Sequence, residues 1–342
     1  MYKVLNSVIL IKKIVIYEMK TNIMQSLLHS ISSSTNKNVQ NDNLKDVKNT
    51  ASKENLPNLF ESVKNKNVQD VLKNLLHDLV NQNKSSKAIL DVLKNESIFK
   101  EFKSFSGEVK RVIKMLENSN IKPDLLNKLK NSHVDIKNID NNILKQQLSK
   151  SGIFLESYLK NLSSSLGSEM KNELKQNVLN DMKSMLLSLT NELKPDSEAI
   201  KQTNKLLAQV EYYQIYSLSD NSNHSYLPFS WNDLEDGDIS FKQNKEDTFS
   251  CQIALEFKYY GNIKINMIFD NPNLLTVSFF IEQNILKEKI QEDLKSFRKN
   301  IKQAKIELQS VYIFDYVKQE EKSEEMKAYS QYTSQYGVDI KI

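Results

Sequence analysis

The stretch that decides the fold is "LEFKYYGNIKINMIFDNPNLLTVSFFIE", residues 255–282. Apolar residues occupy alternate positions in three runs, separated by two short segments that contain Gly, Asn and Pro. Because successive side chains of a β-strand point to opposite faces, this period of two predicts three strands, each with one buried face. Tyr260-Gly261-Asn262 is predicted to form the first turn, where glycine can supply a positive φ, and Asp270-Asn271-Pro272-Asn273 the second.

The flanking residues extend this pattern into a small unit. The first strand reaches back to Phe249, a helix with apolar residues spaced by four and three follows Asn284, and a last strand covers Leu308 to Val317. This order predicts a β-β-β-α-β unit, in which one twisted sheet is covered on one face by one helix. The side chains expected in its core are Leu255, Ile265, Val277, Phe279, Leu294, Phe297 and Val311.

Upstream, a helical period replaces the alternation. Apolar residues recur at helical spacing, with boundaries at Pro123 and Pro195 and a break at "SSSLGS", residues 163–168. The only tryptophan follows these helices, and the acidic segment Glu235-Asp236-Gly237-Asp238 beside it is expected to be a turn. The predicted fold class is α+β, with a mostly helical N-terminal and middle region and a small C-terminal domain.

Four segments are predicted. Residues 1–56 form a largely disordered N-terminal segment, because residues 30–55 hold few large apolar side chains. Residues 57–218 form the helical region, 219–317 the α+β domain, and 318–342 a flexible tail. The apolar run within residues 1–18 has three open interpretations: a membrane-associating helix, a buried helix or strand, or an extension upstream of a start at Met19 or Met24. Since lysines interrupt it and it is shorter than a spanning helix, no stable membrane insertion is expected.

The sequence gives no indication of catalysis, so we expect no enzymatic activity, no cofactor and no metal site. Phosphate loops, dinucleotide fingerprints and HExxH motifs are absent from the sequence, and the four histidines are scattered. Cys251, the only cysteine, falls on the apolar face of a predicted strand and is interpreted as a small buried hydrophobe. Because 47 basic residues are balanced by 43 acidic ones, most charge is assigned to solvated helix faces and no nucleic-acid partner is expected.

The C-terminal residues resemble the C-terminal domain of flagellar hook-length control proteins. The resemblance is carried by "IALEFKYYGNI", "IKINMIF", "LLTVSFFIE", "SFRKNI" and "AKIELQSVYI", with Gly261 at the turn glycine and Phe297-Arg298 at the family's Leu-Arg pair. Three positions depart from the family pattern: Phe257 replaces a proline, Tyr260 the turn leucine, and Lys305 a late glycine. Two upstream segments, "LKQQLSKSGIFLESYLKNL" and "LPFSWNDLEDGDISF", extend the resemblance to about half of the chain.

The resemblance implies a function in flagellar assembly. Such a protein would be cytoplasmic first and then exported through the flagellar type III channel, and its C-terminal domain would contact the cytoplasmic domain of the export-gate switch protein. Export would then change from hook to filament subunits, with hook cap and hook subunits as further partners. The segment between residues 40 and 194, the expected length gauge, would span ~500 Å extended but ~230 Å as helix. The candidate partner-binding residues are Tyr259, Tyr260, Gly261, Asn262 and Arg298.

Two other functions remain open from the residues alone. The Leu and Met stripes of the helical region are typical of a helical adaptor or export chaperone that holds partner helices. A four-stranded sheet with nearby aromatic residues is also compatible with an RNA-binding module, although most of these residues fall on a turn and an edge strand. The aromatic residues concerned are Tyr259, Tyr260, Phe280, Tyr312, Phe314 and Tyr316.

Overall fold

The computed structural model describes residues 67–317, apart from gaps at 82, 96–98, 100–101, 103, 118, 120, 139–140, 164–167, 228, 232, 246–247, 271–273 and 304. The predicted disordered segment, the upstream extension and the tail lie outside these residues. So do Asn271-Pro272-Asn273 of the second predicted turn and most of the break at residues 163–168.

Packed helices occupy most of the described residues between 67 and 220. They are α1 (Val68–Val80), α2 (Ser86–Leu93), α3 (Phe105–Leu116), α4 (Pro123–Asn131), α5 (Asn141–Ser149), α6 (Leu155–Ser163), α7 (Ser168–Leu179), α8 (Met182–Glu192) and α9 (Glu198–Asp220). The sequence begins several of them with a capping side chain: Ser104 accepts a hydrogen bond from Gly107 N, Asp181 from Ser184 N, and Ser197 from Ile200 N. Pro123 starts α4, as predicted from its fixed φ.

The C-terminal part contains a six-stranded sheet in the order β2-β4-β5-β6-β7-β8. Its strands are β2 (Asn223–Tyr226), β4 (Leu234–Lys245), β5 (Thr248–Phe257), β6 (Gly261–Asp270), β7 (Leu274–Ile281) and β8 (Glu307–Asp315). Neighbouring strands are antiparallel except β7 and β8, which are parallel because helix α10 (Asn284–Gln303) connects them. A separate parallel pair joins β1 (Val134–Asp135) to β3 (Phe229–Ser230).

The mixed α+β class is confirmed. The prediction of a turn at the acidic segment 235–238 was wrong. Glu235-Asp236-Gly237-Asp238 lies inside β4, which pairs along its length with β5. Asp236 and Asp238 are two residues apart in the regular part of β4, after a register shift between Leu234 and Asp236, so they point to the same face of the sheet. The sheet therefore has two more strands, β2 and β4, than the predicted unit.

The prediction of one helix covering one face was also wrong. The face that carries the β5 to β7 apolar residues packs on α10, but its core also includes Ile136, Leu144 and Leu148 from the segment around α5. On the outer face, the end of α9 lies over β2 and β4, since Tyr213 and Tyr216 stack against His224. The seven residues expected in the core are all buried, with Val311 the most exposed at 8%.

The helices pack directly against the sheet. The Tyr226 ring of β2 stacks on Phe105 of α3 with centroids 3.6 Å apart, and its hydroxyl donates to the Ser151 carbonyl at 2.8 Å. The predicted boundary near residue 219 thus separates the types of secondary structure, whereas the buried residues contact each other across it.

Candidate functional site: a turn at one end of the sheet

The turn between β5 and β6 is formed by Lys258, Tyr259 and Tyr260. Phe257 pairs with Gly261, and Gly261 adopts φ +65°. This left-handed φ favours glycine, and a β-carbon there would lie 2.5 Å from Oε2 of Glu282, so the end of that side chain would have to shift. The positive φ predicted for Gly261 is confirmed, but the turn predicted at Tyr260-Gly261-Asn262 is placed two residues too late, because Gly261 and Asn262 already belong to β6.

A carboxylate just after the end of β7 fixes this turn. Oε2 of Glu282 accepts hydrogen bonds from the Asn262 backbone N at 2.7 Å and from its Nδ2 at 2.8 Å. The Glu282 backbone N in turn donates to the Asn262 carbonyl at 3.1 Å. On the other side of the turn, Lys258 N donates to the Asp233 carbonyl at 2.9 Å. These contacts with two different segments hold the turn in one conformation.

The two tyrosines of the turn have different environments. Tyr259 is 65% exposed, and the Lys258 ammonium lies 5.4 Å from the centre of its ring. Tyr260 is half-buried, and its ring meets that of Phe257 edge-on at 6.2 Å. Phe257 also contacts Trp231 edge-on at 4.9 Å. Tyr259 is thus presented outward from an aromatic cluster that supports the base of the turn.

The structure brings four of the five candidate residues together. Tyr259, Tyr260, Gly261 and Asn262 are consecutive, while Arg298 lies on α10. α10 begins beside Glu282 at the turn end of the sheet, and Arg298 is 14 residues further on, about 21 Å along the helix axis. Arg298 therefore cannot contribute to the same small contact surface as the turn.

An aromatic row on the outer face was not assigned to the site from the sequence. Phe280 pairs in register with Lys264 on β6 and Phe314 on β8. The Phe280 and Phe314 rings are 5.1 Å apart, and Tyr312 lies 6.0 Å from Phe314. Because Phe280 is two residues before Glu282, this row lies at the same end of the sheet as the turn. The parallel pairing of β7 and β8, which sets this register, has no local signal in the sequence.

Several charged groups lie on the outer face of the sheet, where the end of α9 covers β2 and β4. Burial, with Asp236 nearby, raises the pKa of Asp238 to about 7, and burial lowers the pKa of His224 to about 4. His224 Nε2 lies 3.4 Å from Asp238 Oδ1 without the alignment of a hydrogen bond. Lys264 lies close enough to Asp238 to lower the pKa of that carboxyl, while burial lowers the pKa of Lys264 itself. His224 and Asp238 lie against the tyrosines of α9, so their direct effect is on stability.

Burial raises the pKa of the Cys251 thiol, which makes it inert as a nucleophile. Ser106 Oγ lies 3.4 Å from His133 Nδ1, but the other ring nitrogen of His133 has no hydrogen-bond partner to orient it as a base. Within residues 67–317, outside the gaps, no group of His, Cys, Asp and Glu is arranged to hold a metal ion. The same residues include no helix long and apolar enough to cross a membrane.

Compared with family models, curated proteins and solved structures, the chain matches none of them. The resemblance to hook-length control proteins accordingly remains a hypothesis based on the sequence segments quoted above.

Proposed function

We propose that this chain is a hook-length control protein of the bacterial flagellum, exported by the flagellar type III apparatus. In this proposal, the β5 to β8 segment contacts the cytoplasmic domain of the export-gate switch protein and changes export from hook to filament subunits. Hook cap and hook subunits are further proposed partners during export.

The observation that carries the proposal is the exposed ring of Tyr259 on a turn of fixed conformation. Gly261 and Glu282 hold that turn, so a partner would gain an aromatic contact without having to order the loop. Tyrosine is among the residues that contribute most at protein interfaces. The turn also lies within the stretch that carries the family resemblance.

Export requires that the chain unfold, and several features favour this. Seven of the nine helices named before the sheet have 9 to 13 residues, while α2 has 8 and α9 has 23. Helices this short depend on tertiary contacts, so they unfold once the packing is lost. The single cysteine excludes an intrachain disulfide. Since most of the described residues between 67 and 194 are packed as helices, we propose that any length gauge operates on the extended chain during export.

The helical-adaptor alternative has less support. The Leu and Met stripes that would hold partner helices are used internally, since Leu72, Leu75, Met185 and Leu186 are buried in the core. Exposed apolar residues such as Val80 and Leu187 lie on different helices.

RNA binding is favoured by one observation, the aromatic row of Phe280, Tyr312 and Phe314 beside Lys264. Aromatic rings on adjacent strands can stack bases. Asp315 and Glu307 at the ends of β8 would repel a phosphate backbone, so a protein partner has more support. If the chain bound single-stranded RNA with an affinity that weakens steeply with salt, RNA would have more support than a protein partner.

A deletion tests the proposed function in the bacterium that carries the gene. Removing residues 249–317 should give overlong hooks without filaments, because the specificity of export would not change. Hooks of normal length bearing filaments, observed by electron microscopy of that strain, would contradict the proposal.

A further inference from the structure

The second half of α10 carries a stripe of positive charge. Residues 294–305 include five basic and no acidic residues. Lys295, Arg298, Lys299 and Lys302 are spaced so that they share one helix face, and Lys305 follows just after the helix ends. Lys295, Lys299, Lys302 and Lys305 are exposed, while Arg298 is half-buried. We call these five residues the basic stripe.

The basic stripe has no anionic partner among the residues that the structure describes. The ion pairs found there include none of its five side chains. Arg298 Nε is buried without a hydrogen-bond acceptor. A buried donor without an acceptor is costly, and the planar guanidinium favours a carboxylate with two oxygens. A cation interacts favourably with the C-terminal end of a helix only within the last turn. Lys295 lies further back, so this interaction does not explain a positive charge at that position.

The chain itself has an acidic segment that follows β8. Residues 320–325, "EEKSEE", contain four glutamates and one lysine. The point from which this segment starts is fixed, because Lys287 near the beginning of α10 forms an ion pair with Asp315 at the end of β8. The acidic segment is therefore tethered close to the N-terminal end of the helix that carries the basic stripe.

We propose that the acidic segment 320–325 binds the basic stripe of α10 in the same chain. The stripe begins about 12 Å from Lys287 along the helix and reaches Lys302 at about 22 Å. The five residues from Asp315 to Glu320 can span up to about 17 Å, and the ten to Glu325 up to about 34 Å. All four glutamates can therefore reach the stripe, and the short tether gives them a high effective concentration.

The size of the stripe favours this occupant over a nucleic acid. Lys295 to Lys302 covers about 10 Å of helix, which matches a few carboxylates but not the longer cationic track typical of nucleic-acid binding. The inference does not depend on the proposed flagellar function.

Carbodiimide cross-linking of the full chain tests this contact, since it joins carboxylates directly to lysines that touch them. At low salt, mass spectrometry should find links from Glu320, Glu321, Glu324 or Glu325 to the stripe lysines about tenfold more often than to Lys171 and Lys175. Those two lysines are exposed on α7 and serve as the internal reference. The excess should fall several-fold in about 0.5 M salt, where exposed charges are screened.

Charge reversal provides the matched control. Lys295→Glu/Lys299→Glu should abolish links between the acidic segment and positions 295 and 299, whereas Lys171→Glu/Lys175→Glu should leave the stripe links unchanged. Adding Glu320→Lys/Glu321→Lys to the first variant should restore links of reversed polarity. Equal linking to the stripe and to α7 in the original chain would overturn the proposal. So would links found only between isotopically labelled and unlabelled copies, because they would assign the contact to two chains.

Discussion

Glu282 and Asn262 are joined by three hydrogen bonds, two to the Glu282 carboxylate and one between backbone groups, of 2.7, 2.8 and 3.1 Å. Asn262 is the second residue of β6 and Glu282 follows β7, so the contact closes the end of two neighbouring strands. It connects the conformation of the Tyr259 turn to a strand whose register is set elsewhere in the sheet. Any loss of this contact should loosen the turn without disturbing the buried core.

Removing the Glu282 carboxylate should weaken the turn measurably. We expect Glu282→Ala to lower the free energy of unfolding by about 1 kcal/mol, because two hydrogen bonds to an exposed carboxylate are lost. Glu307→Ala, at an exposed position at the start of β8, should change it by less than about 0.5 kcal/mol. Urea denaturation of both variants checks this. An equal effect in the two would show that Glu282 does not stabilise the turn.

Gly261→Ala should destabilise the chain, while Gly107→Ala should not. At Gly261 the left-handed φ and the 2.5 Å approach to Glu282 combine, for an expected loss of about 1–3 kcal/mol. Gly107 lies in α3, where a β-carbon would meet nothing closer than 3.6 Å, so alanine should add about 0.5–1 kcal/mol. Thermal or urea unfolding of the two variants measures the sign of each change in the free energy of unfolding. Equal effects would contradict the special role of Gly261.

Asp238→Asn should stabilise the chain more as pH rises from about 4 to 7. The pKa of Asp238 is raised to about 7 in the folded chain, from an ordinary value of 3.8. Between these values the folded state binds more protons than the unfolded state, so this carboxyl makes stability fall with increasing pH. The variant has no carboxyl at this position and so does not lose stability in this way. Its free energy of unfolding relative to the original chain should rise by about 2 kcal/mol over this range. Denaturation at pH 4.5 and pH 8 measures it.

His224→Asn should show the opposite trend. The folded-state pKa of His224 is lowered to about 4 from 6.5, so below pH 6.5 the unfolded state binds more protons. The original chain therefore gains stability from this group as pH rises from about 4 to 6.5, and the variant loses that gain. Its stability relative to the original chain should fall over that range. A parallel trend in the Asp238 and His224 variants would contradict the assigned burial of both groups.

Tyr259→Ala should weaken binding to the cytoplasmic domain of the export-gate switch protein by about tenfold or more. Since Tyr259 is 65% exposed, the free energy of unfolding should change by less than about 0.5 kcal/mol. Trp231, the only tryptophan, packs on Phe257 just before the turn, so its fluorescence can report binding. Leu187→Ala, at an exposed residue of α8, is the control and should bind normally.

Local patterns in the sequence predicted the elements that bury one face. The alternation that includes Ile265 and Val277, and the spacing of Leu294 and Phe297, correspond to β6, β7 and α10 because burial on one face imposes those periods. β4 was missed since Asp236 and Asp238 were interpreted as turn residues. The alternating Ile239 and Phe241 were the available signal.

The long-range arrangement could not be predicted in the same way. Tyrosines of α9 cover the acidic residues of β4, and no periodicity in either segment specifies the partner of the other. For the candidate site, the turn residues are consecutive and could be grouped from the sequence. The position of Arg298 depends on the direction of α10 over the sheet, and the contribution of Glu282 depends on strand register.

Hook length tests the central claim most directly. A strain that lacks the gene should be complemented with the original chain, Tyr259→Ala or Leu187→Ala at equal protein levels, and its hooks measured by electron microscopy. The account predicts normal hooks with filaments for the original chain and Leu187→Ala, and overlong hooks with few filaments for Tyr259→Ala. Normal hooks and filaments in the Tyr259→Ala strain would contradict it.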